Sequence, residues 1–130
     1  KNVLKVNLDA SFLLTKNLLP LIKKSDNGSI LFTSSGVGRQ GRAYWGAYSI
    51  SKFATEAMMQ IFSEELQNTS SIRVNCINPG AIRTKMRESA YPAEDPSKNP
   101  TAEMIMKLYL YLMSDMSLSI NGQSIDAQES

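Results

Sequence analysis

Apolar positions follow two rhythms along this chain, and the switches between them divide it into elements. From residue 2 to 24, Leu4, Leu8, Phe12, Leu18, Leu19 and Ile22 recur at helical spacing, which predicts a helix that Pro20 bends or interrupts. Ser29-Ile-Leu-Phe-Thr33 is then a short apolar, β-branched run ending in Ser34, Ser35 and Gly36, the pattern of a buried strand that opens into a loop. The helical period returns over residues 46–69, where Ala47, Ile50, Ala54, Ala57, Met58, Ile61 and Phe62 form an arc that extends to Met59 and Leu66. That arc is wider than a one-sided surface helix needs. Ile72-Arg-Val-Asn-Cys-Ile77 reads as a second buried strand, closed by Asn78-Pro79-Gly80, where proline fixes φ and glycine admits a close approach to the backbone.

Beyond the turn the pattern dissolves. Residues 84–101 mix charges with Pro92, Pro96 and Pro100 and predict a long loop. A last helix is expected over 102–114, with Met104, Ile105, Leu108, Tyr109 and Leu112 on its apolar side. Asn121-Gly122 then turns into a short edge strand from Gln123 to Asp126. Strand, loop, helix and strand make a βαβ unit of an α/β fold with a parallel sheet. Ligands bind such sheets outside the carboxyl ends of the strands, where the Ser35 loop and the Pro79-Gly80 turn belong. The 84–101 segment follows that turn directly; loops of this kind are lids or disordered segments, a lid is the preferred reading, and Met86 and Tyr91 are the candidates to line what it covers.

Composition narrows the chemistry. The net charge of +2 on 130 residues, with the basic residues dispersed, gives no electrostatic footprint for nucleic acid or an anionic membrane. A single cysteine excludes an internal disulfide, and Cys76, inside an apolar run, is expected to be a small buried hydrophobe in a reducing, cytoplasmic setting. There is no histidine, which removes the commonest zinc ligand and the commonest general base together. Zinc-dependent alcohol dehydrogenase chemistry and a Ser-His-Asp hydrolase are both disfavoured, and no metal site is expected. No apolar stretch is long enough to span a bilayer, and no signal-peptide pattern opens the sequence.

What remains is a phenol and an ammonium one helical turn apart. Tyr48 and Lys52 stand at i and i+4 and share a helix face. A phenol ordinarily titrates near ~10, so acid–base service near neutrality calls on a neighbouring cation. Arg39 and Arg42 flank Gly41 and either meet an anionic substrate or cofactor phosphate or stand solvated in a loop. Trp45 either walls a pocket or packs at an interface.

These residues, in this order, resemble the short-chain dehydrogenase/reductase family over nearly the whole chain. Tyr48 and Lys52 match its YxxxK motif, and Ser35, with Ser34 as a neighbouring alternative, matches its catalytic serine. Asn7 matches its helix asparagine, and Pro79-Gly80-Ala81-Ile82-Arg83-Thr84 matches the segment that lines the nicotinamide. More narrowly, the stretches from Phe32 to Tyr48 and from Arg73 to Gly80 are similar to the YciK branch of bacterial oxidoreductases. The family's glycine-rich phosphate-binding turn has no counterpart here, and Asp126-Ala-Gln-Glu-Ser130 departs from its frequent Asp-Gly-Gly ending.

The resemblance implies a three-layer, Rossmann-like, doubly wound parallel sheet, of which residues 1–130 form the C-terminal catalytic half, with about three strands and three main helices. The glycine-rich cofactor-binding half would precede residue 1, and the half alone is expected to be unstable and inactive. It implies NAD or NADP as cofactor and a small-molecule carbonyl or secondary alcohol as substrate. In that implied mechanism Tyr48 transfers the proton, Lys52 stays protonated and contacts the nicotinamide ribose, and Ser35 orients the carbonyl. Asn7 holds a water by its backbone, while Pro79, Gly80, Ile82 and Thr84 line the nicotinamide. A homodimer or homotetramer through helices 2–24 and 46–69 is expected. The alternative is a non-catalytic binding or scaffold protein that keeps the fold without cofactor chemistry.

Overall fold

Alternate residues of the two apolar runs face opposite sides of one parallel sheet, which organises the computed structural model; the structure describes residues 2–82 and 85–128. Strand β1 (Ser29–Thr33) pairs in parallel with β2 (Arg73–Asn78), and β2 with β3 (Ser124–Asp126), in the order β1-β2-β3. The register sets Thr33 beside Ile77 and Asn78 beside Asp126, so the carboxyl ends of the strands finish close together. Among the described residues the outer edge of β1 pairs with no strand. The amides that pin β3 in place come from β2 and the turn before β3: Asn75 accepts from Gln123 N–H and donates to Ile120 O, and Asn121 accepts from Val74 N–H.

The helices take the two faces. Ile30, Phe32, Val74 and Cys76 point to one side and pack with Met58, Met59 and Leu66 of helix α3 (Gly46–Gln67). Each such side chain contributes about 1.5–3 kcal/mol by leaving water. Ser29 and Thr33 point to the other side, where they bond Leu112 O (2.9 Å) and the Tyr109 hydroxyl (3.1 Å) of the last helix, Ala102–Met113. Polar residues fill part of the buried face of α3 without penalty, because Ser51, Thr55 and Ser63 return their hydroxyl protons to carbonyls of the preceding turn.

Two expectations are corrected. The first helix has a short α1 (Asn2–Leu4), a π-helical turn (Lys5–Asp9) and a longer α2 (Ala10–Ile22). The departure from α geometry therefore sits around Asn7, while Pro20 stays inside α2, where only two residues follow it and little helix is left to disrupt. The 84–101 segment is not irregular throughout: it contains α4 (Lys85–Ala90) and a 3-10 turn (Pro96–Lys98), which puts the last helix, Ala102–Met113, fifth as α5. A side-chain knot explains the order, with Arg87 forking onto Glu94 (3.0 and 2.8 Å) and Asn99 donating to the same carboxylate (2.7 Å).

Candidate active site

The chain leaves β1 with Ser34 still on the ladder, its N–H donating to Ile77 O (2.7 Å), and that residue is buried. Ser35 comes next in extended conformation and caps the 3-10 turn Gly36–Gly38, accepting a long bond from Val37 N–H (3.4 Å). Its own proton has no acceptor among the described residues. Three contacts fasten this loop to the first turns of α3. Ser49 Oγ donates to Val37 O (2.5 Å), Lys52 Nζ donates to Thr33 O (2.9 Å), and Gly38 lies against the Lys52 backbone. A Cβ at Gly38 would stand 2.8–2.9 Å from Lys52 Cβ, C and O, so the approach requires glycine.

On α3 itself, the Lys52 ammonium stands 5.5 Å from the centre of the Tyr48 ring, and Trp45 tilts against the same ring at 5.8 Å. The Tyr48 hydroxyl bonds no protein group among the described residues. Partial burial pulls the Lys52 pKa down from its ordinary value, and Cys76 acts in the opposite sense. Burial, followed by Glu56, pushes the Cys76 thiol well up, in keeping with a buried hydrophobe. Asn7 joins the group through its side chain: Nδ2 donates to Ser51 Oγ (3.2 Å), which donates to the Tyr48 carbonyl (2.7 Å).

The third segment is the turn after β2. Gly80 has φ +72°, its N–H donates to Asn78 Oδ1 (3.1 Å), and its missing Cβ leaves room for Gln128. Gln128 Nε2 donates to both Pro79 O (2.7 Å) and Ala81 O (2.8 Å), bracing the turn from the segment after β3. Ile82 follows half-buried, and Thr84 lies outside the described residues. Ser35, Arg39, Arg42, Asn78, Gly80 and Gln128 are among the residues that line a cleft of about 510 Å³. Tyr48 and Lys52 are not in that lining. Ser35 belongs to both arrangements, as a wall of the cleft and as part of the loop fastened to Ser49 and Lys52.

Other candidates fall elsewhere. Tyr91 is exposed and lies under the Arg87 guanidinium, 3.8 Å from its ring centre, within the Glu94 knot and outside the cleft lining. Met86 is on α4, and its side chain is outside what the structure describes. Arg39 is committed to the protein: it reaches Asp126 (2.6 Å), Ser124 Oγ and, at 3.6 Å, the buried Glu56. Its hydrogen bond is the main cause that lowers the Asp126 pKa. Nothing in the sequence pattern singles out Glu56 or Gln128. Among the described residues, no side chains cluster as metal ligands and no helix is long and apolar enough to cross a membrane.

A family model for short chain dehydrogenases matches residues 1–95. The chain belongs to the short-chain dehydrogenase family. It is 59% identical to the uncharacterized oxidoreductase YciK of Escherichia coli over 98% of its own length and 50% of that protein's. A short chain dehydrogenase from Salmonella enterica superposes with a TM-score of 0.91 at 61% identity, covering 95% of this chain and 51% of that one. A short chain dehydrogenase from Shigella flexneri, solved in complex with NADP, gives a TM-score of 0.89 at 59% identity, covering 95% of this chain and 51% of that one. This member of the family thus spans about half the length of the relatives it matches, and its three-stranded parallel sheet is the corresponding part of their fold.

Proposed function

We propose that the full-length protein is an NAD(P)-dependent oxidoreductase acting on a carbonyl or secondary alcohol, with Ser35, Tyr48, Lys52 and Asn7 as its proton-transfer system. The observation that carries this reading is the bolting of the Ser35 loop onto the helix turn that presents Tyr48 and Lys52. Membership of the family and the NADP held by the Shigella flexneri relative support the cofactor. We place the pyrophosphate-binding half of the domain before residue 1.

The residues present suit the nicotinamide end of such a cofactor. Lys52 spends one N–H on Thr33 O, and an ammonium has three, which leaves donors for ribose hydroxyls. Pro79, Gly80 and Ile82 offer a braced turn at the strand ends. When bound, the nicotinamide supplies or accepts the hydride. Tyr48 gives its phenolic proton to the substrate oxygen in reduction and takes it back in oxidation. Ser35, with an uncommitted hydroxyl proton, donates to the same oxygen and stabilises the negative charge that develops there. Lys52 sets its ammonium beside the Tyr48 ring, at 5.5 Å from its centre. Asn7 steadies the turn through Ser51 and the Tyr48 carbonyl.

We place self-association on the helices of residues 2–24 and 46–69, and the single buried thiol fits a reducing cytoplasm. Titration of NADH and NADPH into the full-length protein, followed by nucleotide fluorescence, tests the reading, and binding of at least one is expected. Tyr48→Phe should lower turnover by about 100- to 10,000-fold, the range for losing a positioned acid, while the cofactor Kd changes little. If neither nucleotide binds, the protein is a scaffold that kept the fold.

A further inference from the structure

We propose that the substrate is an anionic carbonyl compound whose carboxylate or phosphate is held by Arg42 while its carbonyl lies at Ser35. This rests on the dehydrogenase reading and adds the substrate's charge to it. The charges of the cleft lead there. Among the described residues three charged ones line it: Arg39, Arg42 and Asp126. Arg39 and Asp126 neutralise each other at 2.6 Å, and the second acid near Arg39, Glu56, also receives the Ser124 hydroxyl. Arg42 is therefore the lining charge that has no acid partner among the described residues, and its planar guanidinium fork suits a two-oxygen anion. A volume of about 510 Å³ is in the range of small-molecule sites.

A second, independent feature holds Arg42 where it is. It opens a four-residue turn closed by Trp45 N–H on the Arg42 carbonyl (3.3 Å), and Tyr44 in that turn has φ +70°. A bulky residue resists this left-handed backbone, which glycine adopts readily. Among the described residues the Tyr44 ring is fully exposed. Strained backbone of this kind clusters at active sites and ligand clamps. Here the strained turn begins at Arg42, a residue of the cleft that Ser35 also lines.

The test uses the full-length protein with aliphatic oxo-carboxylates of increasing chain length, each matched with its methyl ester, and a keto-phosphate matched with its dephosphorylated form. Calorimetry gives the affinity of each compound, and NADPH oxidation gives kcat and KM. For at least one pair the anion should bind about 10- to 100-fold more tightly, the range of a charge-assisted hydrogen bond, and whether the carboxylate or phosphate arm shows it identifies the anion. Arg42→Gln should bring the ratio for that pair near one through Kd and KM, and Arg42→Lys should recover part of it. Equal binding of anions and neutral partners, an equal loss for both in Arg42→Gln, or turnover of none of the anions overturns the proposal. A protein that binds NADPH but favours the esters keeps the dehydrogenase reading and loses this one; a protein that binds no nucleotide loses both.

Discussion

Gln128 shows how much one amide can decide. Its two N–H bonds reach the carbonyls on both sides of Gly80, and Gly80 is the residue whose missing Cβ and positive φ make room for it. The chain departs from the family's Asp-Gly-Gly ending here, and the departing residue is the brace of the turn assigned to the nicotinamide. Each neutral hydrogen bond contributes about 0.5–1.5 kcal/mol, so Gln128→Ala should destabilise the protein by about 1–3 kcal/mol. Gln128→Glu should be worse near neutral pH, because a carboxylate would face two carbonyl oxygens with nothing to donate, and protonation in acid should bring it back toward the wild type. Chemical denaturation of the three proteins measures the order, and a Glu variant as stable as the wild type at neutral pH would refute the brace. Cofactor affinity of the full-length variants should follow the same order.

At the scale of elements, the loop after β1 is held by a contact that only glycine allows. Gly38→Ala would drive a methyl group into Lys52, and overpacking of this kind costs about 1–3 kcal/mol. Because the same loop carries Ser35, turnover should fall more than cofactor affinity, which steady-state kinetics with a nucleotide titration would show. The elements themselves were legible: Ser29–Thr33 was readable to the residue, and the strands at 72–77 and 123–126 were readable to within one. Strands and long helices announce themselves by period. The π-helical turn at Lys5–Asp9 does not, since its residues continue a helical pattern. Nor does the knot in the 84–101 segment, which depends on Arg87 meeting Glu94 across a proline-rich stretch.

That knot is pH-sensitive in a definite direction. Hydrogen bonds from Arg87 and then Asn99 hold the Glu94 carboxyl down at about 2. A carboxylate depressed in the folded state contributes stability above its unfolded pKa, near ~4.3, and loses it as pH falls through the folded value. Amide protection over residues 85–99 should therefore exceed that of Glu94→Gln near neutrality, and the two should converge as pH approaches about 2. A constant difference across that window would rule out Glu94 as the cause.

For the whole molecule, the question is what covers the outer side of α3. Thr55, Met58, Met59 and Leu66 form the side that is buried in the core, whereas Ile50, Phe53 and Ile61 form an exposed stripe at spacings of three and eight residues. Strands added beyond the open edge of β1 would widen the sheet and bury that edge. They would not reach the outer side of a helix that already lies over β2, because a three-layer fold has no fourth layer. A second copy of the protein can supply that cover, since a twofold interface sets the same stripe against itself. Leu14, Leu18 and Leu21 on α2 are exposed as well, at spacings of four and three residues. A helix of 22 residues is about 33 Å long, enough to anchor an interface of standard size. Light scattering should find the full-length protein dimeric or tetrameric at micromolar concentration. The double variant Ile50→Glu, Ile61→Glu should lower that mass at least twofold, since it sets like charges against each other across the axis. A monomeric wild type, or a double variant of unchanged mass, would leave the stripe without a partner and remove the helices from the interface.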